Sequence, residues 1–295
     1  MLSYLIAIAI ITLIYMLLTM GLNIQYGYTG MANFGHVGSF AIGAYLTALM
    51  TTNGWSAYVS LPLAILTAAL VAYPVGLISR RLRTDYFAIA TLVFSEVLRL
   101  ALMEEEWLTN GVHGVTSIPN IAAAMRLPLD PNLLMLFMLV IANALAVLLV
   151  FRMVKSPFGR TIEAIRDDED AVRSLGKEPS GFKIKVFVIG ASLAGLSGAF
   201  YAHYYSYISP EQFIPLLTFY IWMAMILGGT GRVSGAAAGA FVLVLFLEGS
   251  RFLRDAVPGI SEVGMASVRL FVVGVALVLL TRFRPQGIMG DFSRR

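Results

Sequence analysis

The chain has 295 residues, 58% of them apolar and only 13% charged, with a mean hydropathy of +0.80. Soluble domains carry roughly 45–50% apolar and about 25% charged residues, so a water-soluble globule is excluded and lipid is the solvent that fits. The net charge of +4 and pI near 9.3 do not point to nucleic acid, because most Lys and Arg lie between apolar segments, where they write topology.

No Asp, Glu, Lys or Arg occurs from Met1 to Ser79, and the first is Arg80. Met1 to Met20 lacks a basic leader region and a small-residue cleavage site, so it reads as a retained span and not as a signal peptide. A spanning helix needs about 20 mostly apolar residues. Nine stretches qualify: 2–20, 31–53, 60–79, 85–103, 133–151, 184–206, 213–230, 234–248 and 266–281. The eighth is short, and the fourth carries Glu96 and Arg99. Strand alternation is absent and backbone groups in lipid must bond internally, which predicts an all-α polytopic bundle of about 8–10 spans. No linker divides the chain, so 1–295 reads as one transmembrane domain. The sequence has no Cys, which excludes disulfides and thiolate metal sites, and its three His form no metal cluster.

The Lys and Arg distribution puts 80–83, 152–183, Arg232 and 282–295 on the cytoplasmic side. Residues 104–132, with Glu104, Glu105 and Glu106, and 249–265 fall on the other side, with Arg126, Arg251, Arg254 and Arg269 on or near it. Nine spans place the N-terminus outside. A broken or re-entrant piece at 21–38 changes that parity.

Two segments look interrupted by glycine, and both contain a Gly-x-Thr-Gly: Gly27 to Gly30, and Gly228 to Gly231. Each is followed by a similar pair, Gly43-Ala44-Tyr45 and Gly239-Ala240-Phe241. Interruptions in corresponding halves of a transporter mark a transport path; small residues also serve close helix packing. The path reading takes in Gln25, Tyr28, Thr29, Gly30, Asn33, Gly35 and His36. His36 faces either the path or a neighbouring helix.

Residues 152–183 form the largest polar stretch, yet Ile162, Ile165, Val172 and Leu175 fall on one helical face. Thr161 is the predicted cap of a first helix and Asp167 of a second, with Asp170 near a capping box; Gly176 and Pro179 supply the stop. Near balance of charge favours docking on a soluble partner over lying on lipid. In that reading the four apolar residues fill a groove, and Glu163 and Arg166 set the register at its rim. Glu96 and Arg99, at i and i+3, are expected to pair structurally, Glu248 to pair with Arg251, and Arg232 to anchor orientation.

The run Gly159-Arg160-Thr161-Ile162-Glu163-Ala164-Ile165-Arg166, with Ala171 and Leu175-Gly176, resembles the coupling loop of ABC importer permeases. Phe187 to Phe200, Gly21 to Gln25, Gly27 to Gly30, Asn33 to Val37, Tyr86 to Leu92, Ser95 to Arg99, Trp107 to Pro119 and Arg284-Pro285-Gln286-Gly287 are similar to the branched-chain amino-acid permeases of the LivM type. The resemblance covers nearly the whole chain. Asn110 and His113 stand where that family's outer loop has Gly and Asn. The resemblance implies the larger-class (type II) importer fold and a multi-pass subunit of the bacterial inner membrane. It also implies a LivH-like sister permease, two cytoplasmic ATPases holding the ATP and Mg, and a periplasmic binding protein. No G-x-x-x-x-G-K-[ST] occurs, so the chain is expected to be no enzyme and to bind no cofactor itself. Leu, Ile or Val is the expected cargo, with urea or short amides as the alternative. A secondary transporter or channel would need Glu96 or His36 as its coupling group. A membrane enzyme would need a paired acid–base set.

Overall fold

The computed structural model describes residues 2–256, 262–283 and 287–289. In chain order its α-helices are α1 (Leu2–Gln25), α2 (His36–Thr52), α3 (Ala57–Ile78), α4 (Thr84–Glu104), α5 (Glu106–Thr109), α6 (Ile121–Met125), α7 (Pro131–Lys155), α8 (Pro157–Asp167), α9 (Glu169–Ser174), α10 (Pro179–Tyr205), α11 (Pro215–Gly228), α12 (Val233–Ala256) and α13 (Glu262–Phe283). The fold is all-α, and five helices, α1, α3, α4, α7 and α10, are long and apolar enough to cross a membrane. The expected spans fall on helices, with shifted boundaries; α10 starts at Pro179 and α12 runs to Ala256. Residues 21–25 continue α1, 26–35 are non-helical, and α2 starts only at His36.

Helix ends follow local chemistry. Asp130 caps α7 by accepting from Asn132 N and Leu133 N at 2.9 and 3.1 Å, Pro131 occupies the first turn, and Arg152 and Lys155 meet the negative end. Ser156 caps α8, five residues before the expected Thr161, and Asp168 caps α9, one residue after the expected Asp167. Thr161 lies inside α8 and donates to Pro157 O instead. Pro179 opens α10 and is not a stop, because a missing N–H costs nothing in a helix's first turn.

α10 is the central helix, packed on α1, α2 and α3. Its small residues permit backbone contact; a Cβ added at Gly43 of α2 would lie 2.0 Å from Gly195 O. Ser197 of α10 donates to Ile14 O of α1, and Gln25, at the other end of α1, reaches Phe187 near the start of α10. The two helices are therefore antiparallel. α2 runs parallel to α4, with Gly35 against Thr91 and Gly38 against Ser95.

This packing sorts the loops by end. One end gathers 26–31, 79–83, 152–178 and 229–232, joined by Arg166–Gly27, Asn23–Arg232 and Arg80–Glu178 contacts. The opposite end joins 114–119 to 203–208 through the Val115–Ile208 bridge and a His203–Pro119 bond. The first end carries Arg80, Arg81, Arg83, Arg160, Arg166, Arg173 and Lys177; the second carries Glu104, Glu105, Glu106 and Glu211. The two groups of loops expected on opposite sides thus sit at opposite ends. Arg251, the expected partner of Glu248, and Arg284 to Gln286 lie outside the described side chains.

Candidate functional site

The break after α1 is held by local backbone bonds. Tyr26 N bonds to Leu22 O at 2.9 Å, Tyr28 N to Asn23 O at 3.2 Å, Met31 N to Gln25 O at 2.9 Å, and Gly30 N to Tyr26 O at 2.8 Å. The Thr29 hydroxyl takes Ile24 O at 3.3 Å. The ascending half is held by side chains. Thr91 Oγ1 accepts from Phe34 N at 3.1 Å, Asn33 Oδ1 from Gly35 N at 2.9 Å, and Thr218 Oγ1 from Val37 N at 3.1 Å. Non-helical backbone at membrane depth is tolerated only with such protein partners.

Gln25, Asn33 and His36 are the polar core of this break, each at most 1% exposed. Gln25 Nε2 donates to Phe187 O at 2.9 Å, and its Oε1 accepts from Asn33 Nδ2 at 2.8 Å. His36 Nε2 lies 3.0 Å from Leu18 O, which only a protonated Nε2 can satisfy, and Nδ1 faces Asn33 Nδ2 at 3.4 Å. His36 thus has the arrangement of a packing histidine that ties α2 to α1.

The two Gly-x-Thr-Gly turns, from widely separated stretches of the sequence, meet at the basic end. Asn23 Oδ1 accepts from Gly231 N at 2.9 Å, and Asn23 Nδ2 donates to Arg232 O at 2.7 Å. Gly30 and Gly231 both have left-handed φ, +74° and +73°. Arg166 of α8 closes the junction: Nη1 donates to Gly27 O at 2.7 Å, while Nε and Nη2 bond Asp167 Oδ1 at 3.0 and 2.9 Å. A cation beyond the C-terminus of α1 also complements the helix dipole. Ile288 N and Met289 N cap Leu227 O and Gly228 O at 2.7 and 3.0 Å, so the segment after the Arg-Pro-Gln-Gly run seals the end of α11.

A cleft of about 1030 Å³ opens beside this junction. Tyr26, Phe34 and Trp222 form its aromatic wall, with Tyr26–Trp222 and Phe34–Trp222 centroids 4.5 and 5.1 Å apart. Trp222 is fixed by donating Nε1 to Asn33 O at 3.0 Å. Asp85, in the first turn of α4, supplies a carboxylate, and Arg166 and Arg232 supply guanidinium groups. Of the residues assigned to a path from sequence, Gly30 lines this cleft. Gln25, Tyr28, Thr29, Asn33, Gly35 and His36 stand behind its wall and shape it. Phe34 belongs to the Asn33 to Val37 run, but Tyr26, Asp85 and Trp222 carry no motif of their own. Asp85 alone had a signal, as the first carboxylate after 84 residues without one.

The polar loop folds onto its own bundle. Ile162, Ile165 and Val172 are 0, 3 and 5% exposed, so the apolar face expected to fill a partner's groove is spent on this chain. The reason is geometric: α8 follows α7 after one residue and packs back on α7 and α10. Leu175 is the exception at 81% exposed, beside Gly176, whose φ of +78° ends the turn. The outward surface is polar, with Arg160, Asp167, Asp170 and Arg173 exposed and Glu163 half-buried. Arg173 pairs with Asp170 and Glu169, and Lys183 with Glu169. At the head of α10 the Ser180 hydroxyl, then Arg80, holds the Glu178 carboxyl below its ordinary range.

Residues 4–281 match the family described as the branched-chain amino acid transport system permease component. The chain belongs to this family. It is 33% identical to the high-affinity branched-chain amino acid permease LivM of Escherichia coli K12, over 96% of this chain and 69% of that protein. It is 28% identical to the probable LivM of Methanocaldococcus jannaschii, over 94% and 91%. It is also 26% identical to the autoinducer 2 import permease LsrC of Photorhabdus laumondii, over 74% and 65%. No solved structure matches. Membership makes the chain a polytopic transport subunit of the importer kind, and its all-α bundle is the corresponding permease fold.

Proposed function

We propose that this chain is one of two membrane subunits of an ATP-driven importer that carries branched-chain amino acids into the cytoplasm. A LivH-like sister permease, two ATPases and a periplasmic binding protein complete the assembly. The observation that carries the substrate reading is the cleft. It offers a carboxylate for an ammonium, guanidinium groups for a carboxylate, and an aromatic and aliphatic wall for an apolar side chain. Its volume lies at the top of the roughly 300–1,000 Å³ of sites that enclose small molecules, so an amino acid would pass through loosely held, as release requires. Urea or a short amide would use neither charge nor the aromatic wall.

The basic end carries the coupling reading. α8 and α9 present a polar surface with Leu175 at its edge, and Arg166 connects that surface to both glycine turns beside the cleft. Displacement of α8 by an ATPase would pull on Gly27. Conversely, His36 is sealed by Leu18 O and Asn33, and Glu96 is paired with Arg99, which disfavours an ion-coupled secondary transporter. The test is competition for uptake in vesicles holding the assembled importer. Excess isoleucine or valine should suppress leucine uptake, and urea or acetamide should not. Suppression by urea alone would replace the amino-acid reading.

A further inference from the structure

α4 lies at the edge of the bundle. Its inward ridge, Thr91 and Ser95, meets Gly35 and Gly38 of α2. Its outward stripe, Tyr86, Ile89, Val93, Val97 and Leu100, is 47–64% exposed. Glu96 and Arg99 flank that stripe, between it and the inward ridge, their side chains 37% and 18% exposed. Arg99 Nε contacts the two Glu96 oxygens at 3.2 and 3.0 Å, and Nη1 reaches Met103 Sδ at 3.1 Å. Among the described residues these partners are all on α4, so there the pair fastens no second helix. Glu211 of the 3-10 turn Pro210–Phe213 lies within electrostatic reach of the guanidinium.

The other exposed stripes differ. Leu66, Leu70 and Tyr73 on α3, and Phe137, Ile141, Leu145 and Leu149 on α7, belong to segments with no charged residue from 57 to 78 and from 131 to 151. Those faces suit lipid. A charged side chain in the hydrocarbon region costs at least about 2.5–3.5 kcal/mol, and such residues face protein or water-filled cavities. The first turns of α4, with Asp85, Ala88 and the stripe residue Ile89, already line the cleft. From Ile89 to Leu100 the stripe rises a further 16 Å or so at about 1.5 Å per residue.

We propose that the outward face of α4 is a wall of the translocation path, closed by the sister permease, and that Glu96 and Arg99 contact the passing zwitterion. The ammonium of the amino acid meets Glu96, its carboxylate meets Arg99, and its side chain runs along Ile89, Val93 and Val97. One ion pair opens and two form, so no charge is left desolvated and unpaired at any point of the exchange. This rests on the importer reading above.

The test uses the whole importer in proteoliposomes, exploiting the Cys-free chain. Val93→Cys and Val97→Cys should react with a membrane-impermeant cationic thiosulfonate at least roughly tenfold faster than Leu145→Cys on α7, since the reactive thiolate forms in water. Equal rates overturn the path wall. Exchanging the charges, Glu96→Arg with Arg99→Glu, keeps an i,i+3 pair. Leucine uptake by the exchanged protein should fall by more than about tenfold, because a polar site rejects a reversed partner strongly. Wild-type uptake by that variant makes the pair purely structural and overturns the contact, with the importer reading intact. If the unmodified complex takes up no amino acid, the importer reading fails, and the labelling rates still decide whether α4 faces water.

Discussion

Gly30, Gly35 and Arg166 show how a residue type can be read correctly and its task misplaced. The glycine run is conspicuous in sequence, and a break of the helix there follows directly from it. That its glycines serve different needs does not. A Cβ at Gly35 would lie 1.9 Å from Thr91 O, so this residue permits contact between α2 and α4. Gly30 needs its left-handed φ, and a side chain there would also press on the Arg166 stem, 3.2 Å away. Gly35→Ala is expected to lower stability by about 1–3 kcal/mol through overpacking, seen as a lower melting temperature of the purified complex with uptake lost in proportion. Gly30→Ala should cost about 1–2 kcal/mol of backbone strain. Arg166 gave no sign of its partner, since a bond to a backbone carbonyl 139 positions away leaves no pattern in sequence. Arg166→Ala removes a charged hydrogen bond worth about 1.5–3 kcal/mol. ATP hydrolysis should persist while uptake falls at least several-fold, and Arg166→Lys, which keeps one donor, should restore part of it. Uptake by Arg166→Ala at the wild-type rate would remove the residue from coupling.

At the scale of elements, periodicity located α8 and α9, and it identified Ile162, Ile165 and Val172 as one face. It could not say what that face meets. Periodicity reports that a face is buried, and a helix hinged to α7 by a single residue buries it at home. The consequence separates two substitutions that sequence alone treats as equivalent. Ile165→Asp places an unpaired charge inside this chain, at a cost on the order of 3–5 kcal/mol, and should reduce the amount of folded permease recovered. Leu175→Asp alters an exposed site and should leave folding unchanged while weakening retention of the ATPase on purification. Equal recovery of folded protein for both variants would contradict the packing of α8. The caps moved, by five residues to Ser156 and by one to Asp168, because Ser, Thr and Asp compete for the same role and the chain geometry selects among them.

At the scale of the whole molecule, the all-α class and the division of loops between two ends were legible, because lipid punishes exposed backbone and because charge is so sparse here. The parity of the N-terminal region was not legible, since a glycine run fits a re-entrant piece as well as a break. In the structure α1 ends at the basic end, 26–35 turns back, and α2 rises from there with no helical piece between. Single Cys residues at Ser117 and at Ser174 should therefore label from opposite sides, Ser117 from outside and Ser174 from the cytoplasm. Labelling of both from one side would refute the arrangement. The cleft itself was the least legible feature, since Tyr26, Asp85, Trp222 and Arg232 come from four separated stretches and only packing assembles them. Radiolabelled leucine uptake into proteoliposomes bearing the chain, its sister permease and the ATPases, with binding protein supplied outside, decides whether import is driven by ATP. Accumulation should require enclosed ATP and survive collapse of proton and sodium gradients. Accumulation that ignores ATP and vanishes with an ion gradient would contradict ATP-driven import.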